Sequence, residues 1–179
     1  MIHRSKKRHP GNAATAISFD QRSFDTTFCQ QRLQFFPGKI AALKEIKRVL
    51  RPNGQLILTC WSAISPFNKA MSDALKEHVG RTAAEKAKAS FSFRDGDVIA
   101  QLLTEAGFSI QRHENIILQR VFEDLGAQIL ALPVEADMTK AGSESTRAVI
   151  DRTADFLAPL KDGSRFVVPQ ETHFFGALT

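Results

Sequence analysis

The sequence predicts an α/β protein built around a sheet with parallel strands. Three neighbouring stretches indicate this class: an apolar segment at residues 24–29, a helical periodicity over residues 39–50, and a continuously apolar segment at residues 56–61. A strand, a helix and a buried strand in this order form a βαβ unit, whose two strands run parallel. With 179 residues, the chain is long enough for one ordinary domain.

The first predicted helix, at residues 39–50, carries its apolar side chains on one stripe. Ile40, Leu43, Ile46 and Leu50 recur at helical spacing. The helix should end before the R-P-N-G segment at residues 51–54, because proline cannot continue it and Asn-Gly readily adopts positive φ. The strand that follows is apolar throughout rather than alternating, which predicts that both of its faces are covered.

Further elements follow from the same periodicities. A helix is predicted at residues 68–79, and residues 81–89 are interpreted as an exposed helix, with a mobile segment as the alternative. A further helix is predicted between an N-cap at Asp95 and a left-handed C-cap at Gly107. A strand is predicted at residues 108–117, a helix at 121–132, a loop at 138–143 and a helix at 145–157. A turn at residues 161–163 leads into a last strand at 166–168, which Pro169 should break and which can resume over residues 172–177.

The net charge of +5 is concentrated at the amino terminus. Removing the four cations Arg4, Lys6, Lys7 and Arg8 from the 24 Lys and Arg leaves 20 basic against 19 acidic residues. The first ten residues are therefore interpreted as a basic, disordered arm, with a contact to nucleic acid or to an anionic membrane as the alternative. Because the remainder is nearly neutral, no nucleic-acid partner is expected.

Several kinds of site are excluded by the sequence. The closest two glycines are 11 residues apart, so neither a G-x-G-x-x-G nor a P-loop motif occurs. Cys29 and Cys60 are too few for a metal knuckle or a disulfide framework and read as small apolar side chains, with a reactive thiol as the alternative. No metal is expected, no apolar run is long enough to span a membrane, and a cytoplasmic location is the expectation.

Three pieces of the chain resemble a known family. They are S-F-D at residues 23–25, R-V-L-R-P-N-G at residues 48–54 and, more weakly, L-L-T-E-A-G-F at residues 102–108. These pieces resemble class I S-adenosylmethionine-dependent methyltransferases of the small-molecule type that includes ubiquinone and menaquinone biosynthesis enzymes. The resemblance implies a Rossmann-like sheet of parallel strands with a C-terminal antiparallel hairpin, and transfer of a methyl group to a small molecule.

The resemblance also implies a binding site for the donor, S-adenosylmethionine. Asn12 and Ala13 match the residue pair that contacts the adenine, and Cys29, Gln30 and Gln31 match the segment that approaches the methionine part. No residue stands out as a general base, so the catalytic residues are left unassigned. A separate set lies in the segment that the family uses to cover its substrates, although such residues are also typical of a core: Phe67, Met71, Phe91 and Phe93.

The family's first strand and its glycine-rich loop would lie upstream of these pieces. The resemblance therefore predicts a truncated methyltransferase domain at residues 11–179 that lacks the N-terminal strands, and a mis-started reading frame would explain the basic arm. Such a chain is expected to be inactive in isolation, and a non-catalytic remnant that acts as a binding or regulatory module is the alternative. The strand at residues 24–29 would then form a bare sheet edge, which predicts a homodimer or pairing with a missing N-terminal fragment.

Overall fold

The computed structural model describes residues 16–179 and divides the chain into two compact units. Of the described residues, the first unit holds 16–59, 96–113 and 174–179, and the second holds 60–95 and 114–173. The elements in chain order are β1 (Phe24–Gln30), α1 (Lys39–Val49), β2 (Leu50–Trp61), α2 (Pro66–His78), α3 (Arg81–Lys88), α4 (Gly96–Glu105), β3 (Ser109–Phe122), α5 (Leu125–Leu130), α6 (Glu135–Ala141), α7 (Ser143–Leu157), β4 (Lys161–Asp162) and β5 (Arg165–Leu178).

Strands β1 and β2 pair in parallel, as the βαβ pattern predicts. Phe28 aligns with Ile57, and Gln30 aligns with Thr59. The strand order is β1-β2-β5-β3, with β4 on β5 as an antiparallel pair. The backbone hydrogen bond from Thr179 to Gly54 and the bond from Ser62 to Glu171 show that β5 runs antiparallel to β2, because one number falls as the other rises. The mixed α/β sheet therefore has the predicted architecture of a parallel pair followed by antiparallel strands.

The R-P-N-G segment forms a tight detour at the start of β2 rather than a turn before it. The ladder jumps from Phe24 opposite Leu50 to Thr26 opposite Gln55, so the four residues bulge out between these pairs. Asn53 supplies the positive φ of 61° that closes the detour.

Helices α1 and α4 pack against each other in the first unit. The helix α4 begins directly after Asp95 and ends at Glu105, and Gly107, two residues later, has the φ of +87° predicted for a left-handed C-cap. The Phe108 N–H returns to the Leu103 carbonyl at 3.0 Å, and the Lys47 ammonium donates to the Gly107 carbonyl. The predicted left-handed C-cap at Gly107 is therefore confirmed, and the helix begins directly after Asp95, where the sequence places its N-cap.

Only one face of β2 is fully buried in the first unit. Leu56 and Leu58 have no exposed surface, whereas Ile57 and Thr59, which point to the opposite face, are half-buried. Within residues 16–179, the prediction that both faces are covered therefore holds fully for one face and in part for the other. An apolar run indicates that both faces of a strand can be buried, but full burial of the second face requires a second layer of residues packed against it.

The second unit has its own core, in which α2 packs against α3 and α7. Three predictions are corrected here. Strand β3 continues to Phe122, and the helix begins only after Asp124, whose carboxylate accepts the Ala127 N–H at 2.9 Å. The predicted loop at residues 138–143 is largely helix α6, which buries only Met138 and therefore shows no apolar period. Strand β5 runs through Pro169, because the fixed φ of proline is compatible with extended backbone.

No helix of residues 16–179 combines the length and the apolar character that crossing a membrane requires.

Candidate functional site

The candidate site lies near the carboxyl ends of β1 and β2, at Gln30, Gln31 and Thr59 of the first unit. These ends meet at one edge of the sheet because the two strands run parallel. The Gln31 N–H donates to the Thr59 carbonyl at 2.9 Å, which joins the two strands at the point where β1 ends. The structure therefore brings Cys29, Gln30 and Gln31 to this edge, and their contact with the methionine part of the donor stays a prediction.

Gln31 turns the chain at the end of β1. Its φ of 49° lies in the left-handed region, which a non-glycine residue adopts only at some energetic cost. The short 3₁₀ turn Leu33–Phe35 follows, with Leu33 completely buried. The Lys39 ammonium donates to the carbonyls of Gln34 and Phe36 at 3.4 and 3.1 Å, so the loop is held to the start of α1.

Cys29 is a buried, neutral thiol. It is 5% exposed, and its sulfur accepts the backbone N–H groups of Arg32 and Leu33. Burial outweighs these hydrogen bonds and raises the pKa of the Cys29 thiol to about 11. The thiolate is therefore scarce near neutral pH, and the interpretation of Cys29 as an apolar side chain is favoured over that of a reactive thiol.

Two polar side chains at this edge have a buried oxygen without a hydrogen-bond partner among the described residues. They are Gln34, through Oε1, and Thr59, through Oγ1. The Gln34 amide nitrogen is engaged with the Gln31 carbonyl at 2.9 Å, which fixes the side chain with its oxygen unpaired. Buried polar atoms are nearly always paired, so an unpaired set at a sheet edge is an expected feature of a ligand site.

Gln34 and Thr59 were not assigned to the site from the sequence. Thr59 is the one hydroxyl residue in the apolar stretch at residues 56–61, and this interruption is the signal that could have identified it. Gln34 carries no such signal, because its role depends on the turn that follows β1. Chemically, the carbonyl and hydroxyl oxygens can accept hydrogen bonds from N–H and O–H groups of a ligand.

Asn12 and Ala13 lie outside the described residues, so their contact with adenine stays a prediction. Among residues 16–179, no three His, Cys, Asp or Glu side chains are grouped as metal ligands.

The aromatic residues proposed to cover a substrate belong to the second unit. Phe67 and Met71 have no exposed surface and Phe91 has 2%, so these three are core residues in the structure. Phe91 packs on Trp61 with ring centroids 5.4 Å apart, and Phe67 packs on Phe122 at 4.6 Å. Phe93 is half-buried. The interpretation as core is therefore the better one for Phe67, Met71 and Phe91.

Comparison with known proteins supports the same fold. Residues 1–58 match the family model described as a methyltransferase domain. No match was found among curated protein sequences. A solved structure from Bacillus halodurans, assigned as a methyltransferase, has a TM-score of 0.52 at 17% identity, and the alignment covers 92% of this chain and 68% of that one.

Two further solved structures are similar at lower TM-scores. An S-adenosylmethionine-dependent methyltransferase from Thermotoga maritima has a TM-score of 0.43 at 16% identity, covering 92% of this chain and 60% of that one. Phosphoethanolamine N-methyltransferase 2 from Haemonchus contortus, solved with S-adenosyl-L-methionine, has a TM-score of 0.44 at 17% identity. The alignment covers 93% of this chain and 35% of that one. The predicted class I methyltransferase fold is confirmed. The chain spans 68% or less of the length of these three proteins.

Proposed function

We propose that this chain is part of an S-adenosylmethionine-dependent methyltransferase that acts on a small molecule, and that its 179 residues alone do not bind the donor tightly enough to be active. One observation carries the first half of the proposal. The parallel strands β1 and β2 end together at an edge where Gln34 and Thr59 each leave a buried oxygen unpaired. In open α/β sheets, ligands bind outside the carboxyl ends of parallel strands.

The residues at this edge have distinct proposed roles. Gln30 and Gln31 would contact the methionine part of the donor, and Asn12 and Ala13 would contact the adenine. Cys29 would contribute its backbone rather than its thiol, because the sulfur is buried and protonated at neutral pH.

Methyl transfer from a sulfonium requires mainly that the protein position the donor and the acceptor. The donor supplies a methyl group on a sulfonium, which passes to a nucleophilic atom of the acceptor as the sulfur–carbon bond breaks and S-adenosylhomocysteine leaves. The protein accelerates such a displacement by aligning the two reactants and by excluding water. No described residue is assigned as a base, so the acceptor would have to carry an unprotonated nucleophile or lose its proton to solvent.

The second half of the proposal depends on a feature of the sequence. A glycine-rich loop allows the backbone to approach a nucleotide closely, and the ten glycines of this chain are too widely spaced to form one. Without that loop, most of the hydrogen bonds that would hold the donor are missing. Donor affinity should therefore be weak, with a dissociation constant of roughly 1 mM.

Titration with S-adenosylhomocysteine, followed by backbone amide NMR of the 179-residue chain, tests both halves. We expect shifts at residues 12–13, 29–34 and 59, with half-saturation at about 1 mM. Adenosine triphosphate serves as a control nucleotide and should not shift the same amides. Isothermal titration that gives a low-micromolar dissociation constant would overturn the claim of weak binding, and a folded chain with no shifts would overturn the claim of a donor site.

The second candidate function is a non-catalytic module that pairs with another chain. Phe28 lies on strand β1, at one end of the strand order, and its side chain is 71% exposed. An exposed aromatic side chain on an edge strand favours pairing with another chain. The NMR titration separates the two candidates, because a module without a donor site should show no localised shifts while remaining folded.

A further inference from the structure

Strand β3 is open on both faces and forms the other end of the strand order. Within the second unit, Ile117 and Leu118 are 60% and 55% exposed, and Val121 is 46% exposed. Neighbouring residues of a strand point to opposite faces, so both faces are uncovered at this point. No strand of residues 16–179 pairs with the outer side of β3, because β3 stands last in the order β1-β2-β5-β3.

The centre of this edge lacks the features that usually prevent pairing. Proteins protect edge strands with lysines, prolines, bulges or short length. Residues 115–119 read N-I-I-L-Q, without a charge, a proline or a glycine, and β3 is 14 residues long. Such an edge is suited to accept another strand.

The charges that flank the centre are arranged symmetrically and have opposite signs. Glu114 lies three residues before Ile117, and Arg120 lies three residues after it. If two copies of β3 run antiparallel with Ile117 opposite Ile117, each Glu114 faces Arg120 of the other copy. Opposite charges directly across an antiparallel ladder stabilise the pair. A shift of two residues toward the amino terminus would instead place Arg112 opposite Arg120, where like charges repel.

The side chain of Arg120 is held by neighbours that carry no negative charge. Its guanidinium lies 4.6 Å from the ring centroid of Phe122 and donates to the Gln128 side-chain oxygen at 3.0 Å. No carboxylate of the described residues pairs with it, and partial burial lowers the pKa of Arg120 without removing its charge. A half-buried cation without an acidic partner is stabilised when a carboxylate approaches.

We propose that two copies of this chain associate through β3, in an antiparallel register that pairs Ile117 with Ile117 and Glu114 with Arg120. The arrangement has twofold symmetry and uses the same surface on both copies, as most homodimers do. It continues the sheet across the two molecules and places Ile117 beside Ile117 and Leu118 beside Ile116 of the other copy. The proposal is independent of the donor site, which uses other residues.

The dimer should be weak. Stable interfaces bury about 1,200–2,000 Å² in total, and a ladder of about seven residues per strand contributes less than that. We therefore expect a dissociation constant of about 10 µM, visible as a dependence of the mass on concentration.

Sedimentation equilibrium tests the association. The unmodified chain should shift from 19.9 kDa toward twice that mass, 39.8 kDa, as its concentration rises to about 200 µM. Ile117→Lys places two like charges at the symmetry axis and should raise the dissociation constant at least tenfold. Phe28→Lys is the matched control on the other edge strand and should leave the dimer unchanged.

Charge exchange tests the register. Glu114→Arg alone places arginine opposite arginine, and Arg120→Glu alone places glutamate opposite glutamate, so each variant should be monomeric. Mixing the two variants restores both oppositely charged pairs and should yield a dimer. The double variant Glu114→Arg/Arg120→Glu should also dimerise with itself.

Cross-linking provides a readout that does not depend on Arg120, whose replacement can disturb the packing on Phe122. With diamide as the oxidant, Ile117→Cys should form a disulfide between two copies, whereas Gln119→Cys, which would face Asn115, should not. The native thiols are buried and should not interfere. A mass of 19.9 kDa at every concentration, a dimer that Ile117→Lys leaves intact, or equal cross-linking of the two cysteine variants would each overturn the proposal.

Discussion

Replacing Gly54 by alanine tests how the detour at the start of β2 is built. A Cβ atom on Gly54 would lie 2.7 Å from the Arg51 carbonyl oxygen, 3.1 Å from the Leu50 Cβ and 3.2 Å from the Arg51 nitrogen. Two of these three atoms belong to the backbone of the same tight segment and cannot rotate away as the end of a side chain could. The backbone must therefore open for alanine to fit.

The magnitude follows from the type of clash. Overpacking by one methyl group in a closely packed place costs about 1–3 kcal/mol. The matched control is Asn53→Gly, one residue earlier, where glycine relieves the positive φ of 61° but adds freedom to the unfolded chain. These two effects oppose each other, so Asn53→Gly should change the free energy of unfolding by no more than about 0.5 kcal/mol.

Urea unfolding of the three proteins, followed by circular dichroism, measures these differences. Gly54→Ala should lower the midpoint at an unchanged slope, and Asn53→Gly should leave the midpoint nearly in place. If Gly54→Ala unfolds at the same urea concentration as the unmodified chain, the close approach at Arg51 does not constrain the segment and the reasoning fails.

Three further predictions concern the first unit. Because burial raises the folded pKa of Cys29 from 9.0 to about 11, the stability that its neutral thiol contributes is fully present below pH 9 and is lost as pH rises through about 11. Unfolding curves from pH 7 to 11 should show this loss, and Cys29→Ala should remove it. An equally steep loss in Cys29→Ala would assign the effect to other groups. Thr59→Val removes a buried hydroxyl without a partner, so thermal unfolding should show equal or higher stability, while the NMR shifts caused by S-adenosylhomocysteine should weaken. A clear loss of stability would mean that the hydroxyl is paired. Leu103→Ala empties a fully buried position of α4 and should lower the free energy of unfolding by about 2–5 kcal/mol in urea titrations. The control Leu102→Ala, at a half-buried position of the same helix, should lower the free energy of unfolding clearly less. Equal losses in the two variants would contradict this packing.

Local patterns predicted much of the fold because the interactions that decide them are near in sequence. The stripe of α1, the detour closed by Asn53 and the C-cap at Gly107 depend on residues within a few positions of one another. The parallel pairing of β1 with β2 follows from the order of strand, helix and strand. Where the local signal was weak, as in the short helix α6, or ambiguous, as at the end of β3, the predictions failed.

The candidate site was predicted only in outline. Matching the family pieces placed Cys29, Gln30 and Gln31 at the end of β1, where the structure has them. The unpaired oxygens of Gln34 and Thr59 were not predictable, because pairing depends on every group that approaches in space. The raised pKa of Cys29 likewise reflects burial by distant parts of the chain.

The sequence by itself therefore determined the order of the elements, the sense of the β1–β2 pair and the absence of a glycine-rich loop, because each depends on residue type and spacing along the chain. Only the tertiary structure decided which face of β2 is covered, which polar atoms lack a partner and which strand edges stay open. Burial and pairing arise from segments that are far apart in sequence, and no local pattern records which of them meet.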